Sequence, residues 1–361
     1  MKTSMRPMNL CMAFLLALLC GVVLQAQDAT TQDSIRLERM LKRFPNADAN
    51  GDGVLTLDEA RRYRQRVRAE RGIVDRPSLP LPEGTTKRAD LEYGPHGNNV
   101  LDLYLPKEAE KPMPLVIFIH GGGFIDGDKN NLSPVILHQC LLRGMAVASI
   151  NYRFITTDPF PAPLHDSARA VQYLRHHASK WDIDPKRIAL FGGSAGGGAS
   201  LWVALHDDLA DPGSADAVAR ESTRVACAAA IRGQTSYDPR QMREWLGDAI
   251  LQHRCILPLY GAKNLDEVLN PAPERASLYV ECSPIHHLSA GDPPVLLFYT
   301  ETVPNDPGGA IHSKVFGEQL KAAMDAAGAS ARLITNMRQT DDAAVAKDLV
   351  AFLAEHLGPG K

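Results

Sequence analysis

Short apolar runs alternate with segments of helical periodicity from residue 114 to the end of the chain. The runs are PLVIFIH (114–120), MAVASINY (145–152), RIALFGG (187–193), VACAAAI (225–231), PPVLLFYT (293–300) and ARLIT (331–335). The helical segments are SPVILHQCLLRG, APLHDSARAVQYLRHHASKW, SAGGGASLWVALHDDL, HSKVFGEQLKAAMDAAG and DDAAVAKDLVAFLAEHL. Strands buried on both faces are apolar throughout, and their alternation with helices is typical of parallel sheets. The sequence therefore predicts an α/β fold with a doubly wound, mostly parallel sheet.

Three other stretches are predicted to form an edge strand, a linker and a cap. NNVLDLYLP (98–106) alternates with period two, which predicts an antiparallel edge strand. Residues 72–88 contain several prolines and little apolar periodicity, so we interpret them as a linker, with the sheet domain at 89–358. The region 234–290 is the least regular and is predicted to form a cap or insertion over the sheet.

Two glycine-rich corners each follow a predicted strand. FIHGGGF contains Gly121 and Gly122, and FGGSAGGGAS places Ser194 in a G-x-S-x-G pattern. Such a corner exposes the serine hydroxyl on a strained strand-to-helix turn, and the next backbone N–H, that of Ala195, can bind a developing oxyanion. Either corner alone also fits a nucleotide-binding turn, with the serine as a helix cap. The two together, in this order, favour acyl-transfer chemistry.

At these residues the chain resembles the α/β-hydrolase fold, specifically the HGGG esterase and lipase group related to hormone-sensitive lipase. The resemblance covers roughly residues 90 to 356 and includes NYRF and FPAPLHDSARAVQYLR. It implies Ser194 as nucleophile, Gly121, Gly122 and Ala195 as oxyanion donors, and a carboxylic ester as substrate. The added calcium-type loop and export signal described below resemble secreted bacterial esterases, some of them acetyl-xylan-esterase-like. A small-molecule or carbohydrate ester is thus the expected partner, by analogy of fold alone.

The other two members of a catalytic triad are not where this family places them. The usual acid position falls on Val303, so Glu301 and Asp306 on either side are the candidate acids. The last strand is followed by a single histidine, His356, late in a helix. His312 precedes the helix after the penultimate strand and is the candidate base, although it also fits a helix-proximal polar residue.

Two functions from different classes therefore remain open. The first is a serine hydrolase with a displaced histidine. The alternative is a catalytically impaired binding protein that keeps the pocket but lacks the usual triad histidine. A calcium-structured adhesion or scaffold protein is a third possibility.

The stretch FPNADANGDGVLTLDEA (44–60) has the spacing of an EF-hand calcium loop. Oxygen ligands are expected from Asp48, Asn50, Asp52, the carbonyl of Val54, Thr56 and Glu59. Gly53 stands at the sharp turn, and SIRLERMLKRF and LDEARRYRQRVRAE are the expected flanking helices. The alternative to a calcium site is an acidic turn between two helices that binds no metal. We predict a single EF-hand at 33–71 that holds a structural Ca²⁺, as a small helical segment ahead of the hydrolase domain.

The N-terminal residues predict export. Residues 1–26 have a basic start, an apolar run and a plausible cleavage site after Ala26, which is typical of a signal peptide. Cys20 fits a lipoprotein signal poorly, because the large Leu19 precedes it. We therefore expect a secreted or periplasmic protein without lipidation or a transmembrane segment.

The net charge bears on the possible binding partners, and the cysteines bear on the core and on disulfide pairing. The formal net charge is −3 with both signs interspersed, which gives no electrostatic case for nucleic acid or an anionic membrane. Cys140 and Cys227 lie in apolar segments and are predicted core residues. Cys255 and Cys282 could pair in an oxidising compartment, a question that the sequence leaves open.

Overall fold

The computed structural model describes residues 37, 38, 41, 45–56, 58–60, 62, 63, 66, 79–300, 306–336 and 342–358. The predicted signal segment 1–26, parts of the predicted EF-hand helices and Glu301 lie outside the described residues. The chain divides into two compact units, Met1–Pro77 and Ser78–Lys361, and the division falls inside the predicted linker.

Eight strands form one sheet within the described part of the second unit, in the order β1-β2-β4-β3-β5-β6-β7-β8. The two contacts β1–β2 and β2–β4 are antiparallel and all others are parallel. The strands are β1 Thr86–Glu92, β2 Val100–Leu105, β3 Met113–Ile119, β4 Ala146–Ile150, β5 Ile183–Gly193, β6 Cys227–Ile231, β7 Val295–Phe298 and β8 Ala331–Ile334. This is the predicted doubly wound α/β sheet.

The outer edge of the sheet differs from the prediction in one respect. β2 is antiparallel as expected, but it is not the edge strand, because β1 pairs on its outer side. β1 begins at Thr86, inside the stretch interpreted as a linker ending at residue 88. Its sequence, TKRADLE, is almost wholly exposed and has no apolar run, so hydrophobic patterning could not reveal it.

The helices of this unit complete the pattern. They are α1 Pro134–Leu142, α2 Ala162–His176, α3 Ala195–Leu205, α4 Pro239–Leu246, α5 Ile256–Leu259, α6 Leu265–Leu269, α7 Pro273–Cys282, α8 Pro307–Ala310, α9 Val315–Ala327 and α10 Asp342–Leu357. The predicted cap region therefore contains α4 to α7, which are short. None of the helices described combines the length and the apolarity needed to cross a membrane.

The core lies on both faces of the sheet. Alternate residues of β3 face opposite sides, with Leu115, Ile117 and Ile119 in one hydrophobic cluster and Val116 and Phe118 in the other. The first cluster includes buried residues of α2 and α3, and the second includes those of α1 and α10. This two-sided burial explains why the strand is apolar at every position. Because β3, β5 and β6 are parallel neighbours, their carboxyl ends lie side by side, and the candidate site lies there.

Candidate active site

Ser194 lies at the sharp turn between β5 and α3. Its backbone has φ 52° and ψ −123°, a strained conformation for a residue with a side chain. The flanking glycines permit this turn, because an ideal Cβ on Gly196 would lie only 2.0 Å from the carbonyl oxygen of Ile119. The turn is also fixed by a 2.8 Å hydrogen bond from the Ser194 N–H to the carbonyl of Ile231. The serine hydroxyl is thereby presented at the end of the sheet.

His312 lies beside this serine. Its Nε2 is 2.9 Å from Ser194 Oγ, although the two residues are 118 positions apart in the chain. His312 comes between α8 and α9, on the segment that follows β7. The structure thus brings together the nucleophile and the base that the sequence suggested. The late-helix alternative, His356, packs its ring against Phe352 of α10.

A backbone carbonyl holds the other side of the imidazole. His312 Nδ1 is 3.0 Å from the carbonyl oxygen of Gly308. Because a carbonyl only accepts, Nδ1 carries the proton and Nε2 is left to accept from the serine hydroxyl. This is the tautomer that a general base requires.

Of the two candidate acids, the one that the structure describes, Asp306, does not occupy this position. Asp306 instead caps the N-terminus of α8, where its carboxylate accepts the N–H of Gly309 at 2.7 Å. This local bond positions the α8 turn that carries Gly308. Glu301 lies outside the described residues, so its role stays a prediction.

The surroundings of His312 keep it neutral. Burial and, to a smaller extent, the positive charge of Arg232 lower its pKa from the usual 6.5 to about 4, against the opposing effect of the Gly308 hydrogen bond. A neutral imidazole at physiological pH is ready to accept a proton. The imidazolium that forms during reaction is disfavoured by the same environment.

Backbone N–H groups surround the space in front of Ser194. Gly122, Gly123 and Ala195 line the cavity, and the N–H of Ala195 belongs to the first turn of α3, where helical amides have no intrahelical acceptor. Gly122 has φ +112°, and an ideal Cβ there would lie 2.0 Å from the Asp126 carbonyl oxygen, so this loop requires glycine. Gly121, predicted as a donor, is absent from the cavity lining and packs against Gly193 instead, with an ideal Cβ 2.6 Å from its carbonyl oxygen.

His120 supports this loop from behind. Its Nδ1 donates to the carbonyl of Gly121 at 2.7 Å, and its ring stacks on Tyr152 with 4.2 Å between centroids. The Tyr152 hydroxyl donates to the carbonyl of His120 at 2.7 Å. Burial lowers the pKa of His120, which keeps the ring neutral. The side chain therefore fixes the glycine loop rather than acting on substrate.

The cavity at Ser194 has a volume of about 280 Å³ and is largely apolar. The cap contributes one wall, through Tyr237, Met242, Cys255, Ile256 and Leu259. Two arginines, Arg232 and Arg254, are the charged groups among the described lining residues. Arg232 directly follows the predicted strand VACAAAI (225–231), but it belongs to no motif that would mark it as a site residue.

The predicted calcium loop of the first unit is held by hydrogen bonds from its own backbone. The Asp48 carboxylate accepts the N–H groups of Gly51 and Gly53 at 2.8 and 2.9 Å, and Asp52 accepts that of Val54 at 2.8 Å. Gly53 has φ +82°, the conformation that the turn needs. These contacts tie the two carboxylates to the turn.

The remaining ligand positions also fit a cation. Asn50 accepts the N–H of Asp52, and Glu59 is 4% exposed, with its Oε2 accepting the Thr56 hydroxyl at 2.7 Å. Those Thr56 hydrogen bonds lower the pKa of Glu59. Leu55, Ala47 and Ala60 form a small core beneath the loop. The residue types of this loop suit a hard cation such as Ca²⁺.

Another group of possible metal ligands lies outside the cavity. One ligand atom from each of His206, Glu281 and His287 lies within 4.8 Å of the others. His206 Nε2 is 3.2 Å from Glu281 Oε1, and the pair joins the end of α3 to α7.

All four cysteines of the second unit are free thiols and buried. Cys255 and Cys282, whose pairing the sequence left open, are therefore not joined. Cys255 lines the cavity, where its sulfur occupies the space that a Cβ on Gly123 would need.

Comparison with known proteins supports this description. A family model described as BD-FAE matches residues 101–314, more than half of the 361 residues. The probable carboxylic ester hydrolase LipM of Mycobacterium tuberculosis is 29% identical over 217 residues, covering 58% of this chain and 46% of LipM. A probable isoprenylcysteine alpha-carbonyl methylesterase of Arabidopsis thaliana is 28% identical, covering 68% of this chain and 49% of its own.

The similarity extends to solved structures. A truncated carbohydrate esterase from gut microbiota superposes with a TM-score of 0.59 at 23% identity, covering 77% of this chain and 99% of the esterase. At this identity the likeness shows the α/β-hydrolase fold. The chain spans about half the length of the curated relatives it matches.

Proposed function

The chain belongs to the BD-FAE family, and we propose that it hydrolyses carboxylic esters, with Ser194 as nucleophile and His312 as general base. The observation that carries this proposal is the 2.9 Å contact between Ser194 Oγ and His312 Nε2, at the mouth of a cavity with backbone donors. The two relatives described above are both named as ester hydrolases, which supports the same reaction. The substrate is a small-molecule or carbohydrate ester.

The first half of the reaction forms an acyl-enzyme. Ser194 Oγ attacks the ester carbonyl carbon while its proton passes to His312 Nε2. The carbonyl oxygen becomes an oxyanion, for which the N–H groups of Ala195, Gly122 and Gly123 are the proposed donors. His312 then gives the proton to the departing alcohol as the carbon–oxygen bond breaks.

The second half regenerates the enzyme. Water attacks the acyl carbon and loses a proton to His312 Nε2, and the acid leaves as Ser194 recovers that proton. Throughout, the Gly308 carbonyl holds His312 in the correct tautomer. A carbonyl carries only a partial charge, so it stabilises the imidazolium less than a carboxylate would. We therefore expect turnover below that of a complete triad.

The binding-protein alternative is favoured by one observation. Arg232 opposes protonation of His312, and no carboxylate among the described residues contacts the imidazole to offset this. A chain that kept the cavity but had lost turnover would still bind an ester without hydrolysing it.

Labelling with a fluorophosphonate separates the two functions. The wild-type protein should gain the mass of one phosphonyl group, because the reagent needs an activated serine. Ser194→Ala should gain none, and His312→Ala should react far more slowly. A wild-type protein that stays unlabelled while still binding esters would establish the binding function and contradict the hydrolase.

For the first unit we propose a structural Ca²⁺ held by Asp48, Asn50, Asp52, the Val54 carbonyl, Thr56 and Glu59. Calcium would neutralise the charge of the loop's carboxylates and would take no part in ester cleavage. We also propose that the protein is exported and processed after Ala26. Mass measurement of the mature protein from a native producer tests this, since an N-terminus at Gln27 is expected.

A further inference from the structure

Arg232 is held beside the catalytic pair in a backbone conformation that favours glycine. It follows β6 directly and has φ +55°. Its N–H donates to the carbonyl of Phe298 at 2.7 Å, and its own carbonyl accepts from Gln234 Nε2 at 3.3 Å. The neighbouring strand therefore maintains a conformation that an arginine adopts only at a cost. Such strain concentrates at sites where a side chain is needed for function.

The guanidinium itself has an unmet hydrogen-bonding requirement. Arg232 Nε is fully shielded from solvent and has no hydrogen-bond partner among the described residues. The residue as a whole is half-buried, and burial lowers the pKa of Arg232. A half-buried guanidinium whose shielded Nε has no partner is unusual, because such groups are ordinarily paired with carboxylates or phosphates.

The described charged residues that line the cavity are all positive. Its described lining contains Arg232 and the exposed Arg254 but no aspartate or glutamate. The positive charge of Arg232 also reaches the imidazole of His312, so the two side chains are close enough to interact. An anion bound at Arg232 would thus lie next to the ester being cleaved.

We propose that Arg232 forms a carboxylate-binding subsite, and that the preferred substrates are esters carrying a free carboxylate. This inference rests on the proposed ester hydrolysis and specifies its substrate class. The planar guanidinium can bind a carboxylate through two parallel hydrogen bonds, which gives geometric selection as well as affinity.

The bound carboxylate would have a second effect on the catalytic pair. It would cancel the positive charge that opposes protonation of His312. The imidazolium would then form more readily with the anionic substrate than with a neutral one. Substrate charge would therefore supply part of what a triad carboxylate supplies elsewhere, and the preference should be visible in kcat as well as in KM.

Matched ester pairs test the inference on the intact protein. For a carboxylate on the acyl side, mono-4-nitrophenyl adipate is compared with its methyl ester. For one on the alcohol side, 4-acetoxybenzoate is compared with 4-acetoxybenzamide. After subtraction of spontaneous hydrolysis, kcat/KM for the anionic member of one pair should exceed that of its neutral partner about tenfold or more, the range of a charge-assisted hydrogen bond.

Two arginine variants locate the effect. Arg232→Gln should abolish the preference, whereas Arg254→Gln, which removes an exposed arginine of the same cavity, should keep it. If both variants lost the preference for the anionic ester equally, the preference would come from the overall positive charge of the cavity, and the proposed subsite would be wrong. Equal hydrolysis of the anionic and neutral members in both pairs by the wild-type protein would overturn it without any variant. If the wild-type protein cleaved none of the four esters, the proposed hydrolase function itself would be wrong.

Discussion

At the residue scale, the proposed catalytic pair of Ser194 and His312 could be predicted even though the histidine is not at its usual place in the sequence. The position of His312 after β7 indicated that it would share the serine's end of the sheet, and the two atoms lie 2.9 Å apart. The orienting group could not be found in this way. It is the backbone carbonyl of Gly308, and every residue offers a carbonyl, so no side-chain pattern distinguishes it.

The first residue-scale prediction concerns the pair. Ser194→Ala and His312→Ala should each lower kcat for 4-nitrophenyl acetate by about 10⁴-fold or more, and the double variant should lose little beyond that, because the two residues act as one unit. Steady-state kinetics measures this. The exposed His286 provides the control, since His286→Gln should retain turnover. Full activity in His312→Ala would rule out its role as the base.

The second residue-scale prediction concerns the pH dependence of ester hydrolysis. Because only neutral His312 can accept the serine proton, and its pKa is lowered to about 4, activity should persist far below pH 6.5. A plot of kcat/KM for a neutral ester should be flat down to about pH 5 and fall below it. Arg232→Gln removes the nearby charge that lowers this pKa, so the acid limb should move upward. An acid limb near 6.5 in the wild-type protein would contradict the buried, neutral base.

The elements that carry the site were the most predictable part of the chain. Continuous apolar strands, each followed by a glycine-rich turn, are constrained by burial on both faces, and β3 and β5 fall where expected. Polar patterns were less informative. The first three residues of the exposed strand β1 fall in the predicted linker, and of the two glycines predicted as oxyanion donors, Gly122 lines the cavity and Gly121 does not. Which glycine of the loop faces the cavity depends on side-chain packing, such as the stacking of His120 on Tyr152. Such packing cannot be inferred from the sequence.

The β5–α3 turn yields a prediction at this scale. Gly196→Ala should destabilise the protein by about 1–3 kcal/mol, the usual effect of overpacking, because its Cβ would meet the backbone of β3. Gly193→Ala, in the same motif, should have a much smaller effect, since the nearest atom to its Cβ is 3.8 Å away. Urea unfolding of both variants gives the comparison. Equal loss of stability would mean that close packing of α3 on β3 is not what Gly196 provides.

At the scale of the whole molecule, the two units carry separate chemistry. The predicted calcium loop belongs to Met1–Pro77, whereas every described residue lining the cavity belongs to Ser78–Lys361. The sequence indicated this division by its prolines and by the spacing of the two motifs.

Calcium should therefore act on one unit alone. Ca²⁺ should protect residues 35–70 from limited proteolysis, because binding stabilises the folded form by mass action. Glu59→Gln should weaken this protection by removing a bidentate ligand, whereas the adjacent variant Asp58→Asn should not. Ester turnover should be unchanged by a chelator. Loss of turnover on chelation, restored by calcium in the wild-type protein but not in Glu59→Gln, would show that the two units are coupled.

The backbone carbonyl behind His312 also affects how this protein tolerates mutation over evolutionary time. A triad carboxylate is lost by one codon change, but the oxygen of Gly308 survives every substitution at its own position. Only a change that moves the turn can remove it, and the Asp306 cap resists such movement. Selection would therefore act on the shape of this short segment rather than on the identity of a third catalytic side chain. In a collection of related chains, the length from Asp306 to His312 should be kept more strictly than the residues between them.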